Sequence, residues 1–233
     1  MRGGATVENV RVPAGAAACD GDLRVPEHAS GLVIFAHGSG SSRFSSRNRA
    51  VAGTLDDGGF ATLLLDLLTP DEAAVDDLTR EYRFDIGRLG ERVIAAADWA
   101  HARPDLGGLP LAFFGASTGA AAALIAAAER PRLTRAVISR GGRPDLAGDA
   151  LPRVQAPTLL IVGGNDEVVI EMNRDAMQQM RATVKLEIIP GATHLFEERG
   201  TLEQVSRLAV GWCCEHLHVY PPEALDGIAP GEI

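Results

Sequence analysis

The sequence predicts an α/β chain, a mostly parallel central sheet with helices on both faces, entered through an N-terminal hairpin and lacking a large cap domain. Two observations carry this. Short apolar runs alternate along the chain with segments of helical spacing, the pattern of strands joined by crossover helices. The composition, 46% hydrophobic and 23% charged over 233 residues, is that of an ordinary globular chain long enough to bury one core.

Taken in order, 7–12 and 17–25 read as the hairpin, with Gly15 or Gly21 near its turns. The run 31–36 is a strongly apolar strand that ends in His37-Gly38-Ser39-Gly40. A helix over 47–57 follows, closed by Gly58-Gly59 as a C-cap, and 60–66 is the next buried strand. The stretch 67–83 is rich in Asp and Glu and reads as a long polar connection. Ile86, Leu89, Val93, Ala97 and Ala100 then recur at helical spacing. Strands are expected at 111–114, 136–139, 158–162 and 184–189, with an alanine-rich helix at 120–130 after the first of them. Leu202, Val205, Ala209, Trp212 and His216 mark one face of the last helix. Residues 1–219 are read as one domain and 220–233 as a Pro-rich C-terminal tail.

The charge balance excludes several functions. A net charge of −9 with no basic patch does not suit a nucleic-acid binder. No run of 18 uninterrupted apolar residues is present, so no membrane span or membrane partner is expected. Three cysteines, two of them adjacent, make a poor disulfide framework, and a cytoplasmic location is expected. Lys185 is the only lysine among many arginines, a bias that points to a GC-rich bacterial genome.

The chemistry concentrates in four places. Leu111–Phe114 runs into Gly115-Ala116-Ser117-Thr118-Gly119 and then into small residues. G-x-S-x-G between a strand and a helix is a turn that lifts a serine hydroxyl above the sheet. A serine needs a base, and the base needs an orienting group. Asp166 follows the strand 158–162, and His194 follows the strand 184–189. Parallel strands bring all three loops to one sheet edge. Glu167 and Asp145 are rival acids, and Asp166 could instead cap a helix. An oxyanion would face the backbone N–H groups of Ser39 and Thr118. The Gly-Ser loop after His37 could also cradle phosphate, but it lacks the lysine of a P-loop.

Together, His37–Gly40, Gly115–Gly119, the Asp166 loop and the segment 191–196 resemble the α/β-hydrolase superfamily, and the layout is most similar to its dienelactone-hydrolase-like branch. Enzymes of that branch that open dienelactones carry a cysteine nucleophile and a glutamate where Ser117 and His37 stand here. The resemblance therefore implies a serine carboxylesterase with Ser117, Asp166 and His194 as catalytic residues, acting on small or exposed esters, thioesters or lactones. It implies neither a metal nor an organic cofactor. Arg43, Arg140 and Phe196 are nominated for substrate binding, and Arg143 lies close by. The segments 67–83 and 141–155, with Phe44, are the expected walls. An acyltransferase on the same residues and a non-catalytic binding protein are the alternatives, and a homo-oligomer is left open.

Overall fold

The computed structural model describes residues 5–217; the proposed tail, 220–233, lies outside the described residues. One sheet of eight strands runs through the protein in the order β1-β2-β4-β3-β5-β6-β7-β8. Strands β1 (Thr6–Ala14) and β2 (Ala17–Val25) form the antiparallel hairpin, with Ala14 opposite Ala17 and Gly15 at φ +65° in the turn. Gly21 is not at a turn. It pairs with Val10 and Leu65, and a Cβ there would press against Leu63 at 3.0 Å.

Strand β4 (Ala61–Leu65) pairs antiparallel with β2 and parallel with β3 (Leu32–Ala36). From β3 onward, through β5 (Leu111–Ala116), β6 (Thr134–Arg140), β7 (Thr158–Gly163) and β8 (Val184–Ile189), every pairing is parallel. The last strand lies at the sheet's edge, where Lys185 and Glu187 form an ion pair of 2.8 Å along it.

The strands β3 to β7 are buried almost throughout because both of their faces are covered. Successive residues serve opposite layers. Val33 and Phe35 pack with Phe114 beneath α1 (Ser46–Asp57) and α6 (Thr201–His216). Ile34 and Phe113 pack beneath α3 (Ile86–Ala102) and α4 (Thr118–Glu129), the helices that the spacing of Ile86 to Ala100 and the alanine run predict. The rings of Phe35 and Phe114 stack at 4.7 Å. Each such phenylalanine, wholly buried, contributes about 1.5–3 kcal/mol of apolar burial.

Helix α4 is buried on almost every side, which explains its composition. Seven alanines between 120 and 128 are buried, and they let backbone approach backbone without a side-chain layer between. Gly90 of α3 touches it from the other side, where a Cβ would stand 2.9 Å from Ile125.

The polar connection is not a loop throughout. Pro70–Thr79 forms helix α2, started by a capping box in which Thr69 and Glu72 exchange hydrogen bonds. The sequence signal was Thr69-Pro70-Asp71-Glu72, a capping box with proline at the first helical position. Pro144–Arg153 forms 3₁₀ turns broken at Gly148, and α5 (Glu167–Gln179) follows directly on Asp166. No inserted domain lies between strands among the described residues, and no helix there is long and apolar enough to cross a membrane.

The thiols offer a test of this packing. Cys19 is buried in the hairpin layer, and burial pushes its pKa up to about 11. Burial also holds Cys213 well above the usual thiol range, whereas Cys214 is exposed. A thiol-exchange reagent at pH 8 should consume one cysteine quickly in the native protein and all three after unfolding.

Candidate active site

Ser117 sits between β5 and α4 at φ +51° and ψ −122°, a conformation that a residue with a side chain adopts only when its surroundings impose it. The surroundings are visible. A Cβ on Gly115 would lie 2.3 Å from Ala120 Cα, and one on Gly119 would lie 2.2 Å from the carbonyl oxygen of Ala36 and 2.4 Å from that of His37. Both flanking positions must therefore be glycine for α4 to start this close to β3. The turn is tied on both sides: the Ser117 N–H donates to Arg140 O at 3.2 Å, and its carbonyl accepts from Ala120 and Arg143 at 3.1 Å each.

Beside it, the loop after β3 is fixed by His37. Leu67 N–H donates to His37 Nε2 at 3.1 Å, so that nitrogen is an acceptor and the proton is on Nδ1, which donates to Gly38 O at 2.9 Å. The same carbonyl accepts from Ser41 N–H at 3.2 Å. In a trans peptide the carbonyl and the following N–H point in opposite directions, so the Ser39 N–H faces away from these donors. Neither it nor the Thr118 N–H at the start of α4 has an acceptor among the described residues. Burial lowers the His37 pKa, opposed in part by the Gly38 hydrogen bond and by Asp66. The imidazole stays neutral, as the brace requires.

Asp166 and His194 meet across the ends of β7 and β8. Asp166 Oδ2 and His194 Nδ1 are 2.7 Å apart. Asp166 does occupy the N-cap position of α5, yet its side chain makes no capping hydrogen bond; the carboxylate is spent on the histidine instead. Backbone contacts hold the two loops together. Asn165 N–H donates to Ala192 O at 2.9 Å, and a Cβ on Gly163 would fall 2.5 Å from that same oxygen. Of the rival acids, Asp145 is bound through both oxygens to Arg143, and Glu167 is exposed in the first turn of α5.

The loop after β6 joins the two halves. Arg143 reaches back to the Ser117 carbonyl, while Gly141 lies against the histidine, its missing Cβ leaving room 3.5 Å from His194 Cε1. No hydrogen bond closes between Ser117 Oγ and His194; in unliganded sites such bonds are often long and tighten only with substrate.

The nominated binding residues are differently employed. Arg43 is committed to Asp66 and Asp22 through its side chain, and to Asp66 through its own N–H. Arg140 is buried, bonded to Asn48 at 3.2 Å with its guanidinium 5.9 Å from the Phe196 ring centroid. Burial, with Arg47 nearby, draws its pKa down to about 10. Phe196 is a core residue at φ +55° rather than a wall, and Phe44 is the exposed aromatic beneath the guanidinium of Arg43. Asp76 and Arg83 carry no signal of their own in the sequence, because their pairing depends on helix α2.

Comparison with known proteins now decides the family. Residues 20–211 match the family model described as Dienelactone hydrolase family. The chain belongs to that family. It is similar to the crystal structure of a dienelactone hydrolase from Anabaena variabilis, with 54% identity and a TM-score of 0.90, covering 92% of this chain and 99% of that one. A serine hydrolase without a lid from Xanthomonas campestris shares the fold at a TM-score of 0.73 and 21% identity, over 92% of this chain and 97% of that one. Two Mycobacterium tuberculosis proteins, each provisionally named a phosphoribosyl transferase, are 56% identical over 210 residues. That match takes in 90% of this chain, which spans only 46% of the length of those relatives.

A glycine of the site and one remote from it should respond oppositely to a methyl group. Gly119→Ala should lower stability by about 3 kcal/mol, since two carbonyl oxygens cannot both retreat. Gly53→Ala, in α1 with open space around it, should raise it by about 0.5–1 kcal/mol. Urea midpoints of the two variants check both signs. His37 adds a pH term: the unfolded chain binds a proton as pH falls through the ordinary 6.5, and the folded chain resists it. Its stabilisation is present above that pH and lost below it. Between pH 7.5 and 5.5 the wild-type urea midpoint should fall further than that of His37→Gln.

Proposed function

We propose that this family member is a serine carboxylesterase, with Ser117 as nucleophile, His194 as general base and Asp166 as the group that orients the histidine. The observation that carries the reading is the 2.7 Å contact between His194 Nδ1 and Asp166, made at the sheet edge where Ser117 is held in its strained turn. A carboxylate at Nδ1 fixes the tautomer that leaves Nε2 free to accept a proton, and it stabilises the imidazolium once formed.

In this mechanism Ser117 Oγ attacks the ester carbonyl carbon while His194 Nε2 takes the hydroxyl proton. The carbonyl oxygen becomes an oxyanion facing the N–H groups of Ser39 and Thr118, each worth about 3 kcal/mol to the transition state. The intermediate collapses, the alcohol leaves with the proton from His194, and an acyl-Ser117 ester remains. Water, deprotonated by the same histidine, then releases the acid and restores the serine. The site opens to small or exposed acyl groups, in keeping with the absence of an inserted domain among the described residues. The name of the Anabaena relative supports ester chemistry, because a lactone is a cyclic carboxylic ester.

A fluorophosphonate, which phosphonylates activated serines, tests the assignment with peptide mass spectrometry as readout. One adduct on Ser117, absent in Ser117→Ala and strongly slowed in His194→Ala, is the expected result; well-folded protein that takes no label would point to a binding protein. Asp166→Asn should keep the fold and lower kcat by about four orders of magnitude, the cost of losing the correct tautomer in serine proteases.

A further inference from the structure

A groove of about 580 Å³ lies between the loop after β3 and helix α2. Gly38 belongs to both the groove and the serine's surroundings, since a Cβ there would stand 3.0 Å from Ser117 Cβ. Phe44, Leu68, Pro70 and Ala73 supply apolar wall. The remaining wall is polar: three serines (Ser41, Ser42 and Ser45) lie along the loop, and four carboxylates (Asp20, Asp66, Asp76 and Asp77) stand against two guanidiniums (Arg43 and Arg83).

Arg83 is held along one edge by Asp76. Its Nε donates to Asp76 Oδ2 at 2.7 Å and its Nη2 to Asp76 O at 3.0 Å. Asp76 is itself buried and takes the N–H groups of Tyr82 and Arg83 at 2.9 and 2.8 Å. With that edge pinned, Nη1 is carried over Gly40, where a Cβ would come within 3.2 Å of it. Gly40 is at φ +65° and lines the groove. Nη1 has no acceptor among the described residues.

The charge of this donor is already answered. Asp76 cancels Arg83 at contact distance, and Asp66 with Asp22 does the same for Arg43. Asp77 and Asp20 are held only loosely, each 3.8 Å from its nearest arginine. An entering carboxylate or phosphate would meet surplus negative charge with no unanswered cation to receive it. An uncharged oxygen could accept from Nη1 without that repulsion.

We propose that Arg83 is the specificity-determining donor of this groove, which receives the uncharged, oxygen-bearing part of an ester substrate and discriminates against esters that carry a carboxylate or phosphate there. The inference rests on the serine-esterase reading and names its substrate class.

The test uses three esters of one alcohol, with acyl chains of equal length ending in methyl, hydroxyl or carboxylate. The hydroxyl ester should exceed the methyl ester in kcat/KM by about tenfold, the worth of one hydrogen bond to a charged donor. The carboxylate ester should fall about tenfold or more below the methyl ester, and 0.5 M salt should narrow that gap. Arg83→Met should abolish the hydroxyl preference while the fluorophosphonate still labels Ser117. If that variant does not fold, Asp77→Asn, altered at a side chain 83% exposed, should relax the discrimination against carboxylate. A carboxylate ester turned over as well as the methyl ester, or a hydroxyl preference that survives Arg83→Met, overturns the inference and leaves the esterase reading standing. No turnover of any ester, together with no label on Ser117, overturns both.

Discussion

The backbone of Ser117 sits where an unconstrained residue would not stay, and the start of α4 pressed onto β3 keeps it there. The approach is set by distances that no side chain could occupy: Gly119 against two carbonyl oxygens, Gly115 against the Cα of Ala120. Much of the fold serves this contact. The alanines of α4 let the helix lie deep in the layer, and Gly90 of α3 lets a second helix close over it. The carbonyl of Arg140 and the N–H of Arg143 then lock the turn from the neighbouring strand. Strain at one residue costs about 1–3 kcal/mol, a sum this buried layer is large enough to absorb.

The two other loops are assembled by the same device at lower tension. Gly163 permits the ends of β7 and β8 to touch, and that contact brings Asp166 to His194. Polar groups do the finer work. His37 has both ring nitrogens engaged by backbone, so it turns the Gly38–Ser39 peptide without entering the chemistry proposed here. Glu198 does the corresponding job beyond the histidine, accepting from both the N–H and the hydroxyl of Thr193. Hydrogen bonding to Thr193 also draws its pKa down.

Much of this was legible in the sequence, for identifiable reasons. Apolar runs bounded by glycine locate the strands, and in a parallel sheet their ends fall on one edge, so Ser117, Asp166 and His194 could be placed together without any distance. Helix α2 is far less legible. Asp71, Glu72, Asp76 and Asp77 make its composition look like a solvated loop, and only the capping box spoke for a helix. Arginines were harder still. Arg43 and Arg140 lie in loops or at a strand end near the site, as expected, but a sequence does not say which carboxylate has already taken a guanidinium or which guanidinium is buried. Arg43, Arg83 and Arg143 are each paired with an aspartate, and Arg140 is buried with its guanidinium 5.9 Å from the Phe196 ring.

The two margins of the sheet are built differently from its centre. β1 carries Pro13, which has no N–H to offer, with Glu8 and Arg11 along its length. On the opposite margin β8 bears the Lys185–Glu187 pair on a strand that is only partly buried. Unsatisfied strand edges invite a neighbouring chain to add itself as a further strand, and proline or charge at the margin opposes that addition. The interior strands β3, β4, β5 and β7 are almost wholly apolar and would be hazardous if exposed. In this protein the guard against aggregation stands at the two outermost strands, leaving the interior free to be as apolar as the packing beneath Ser117 requires.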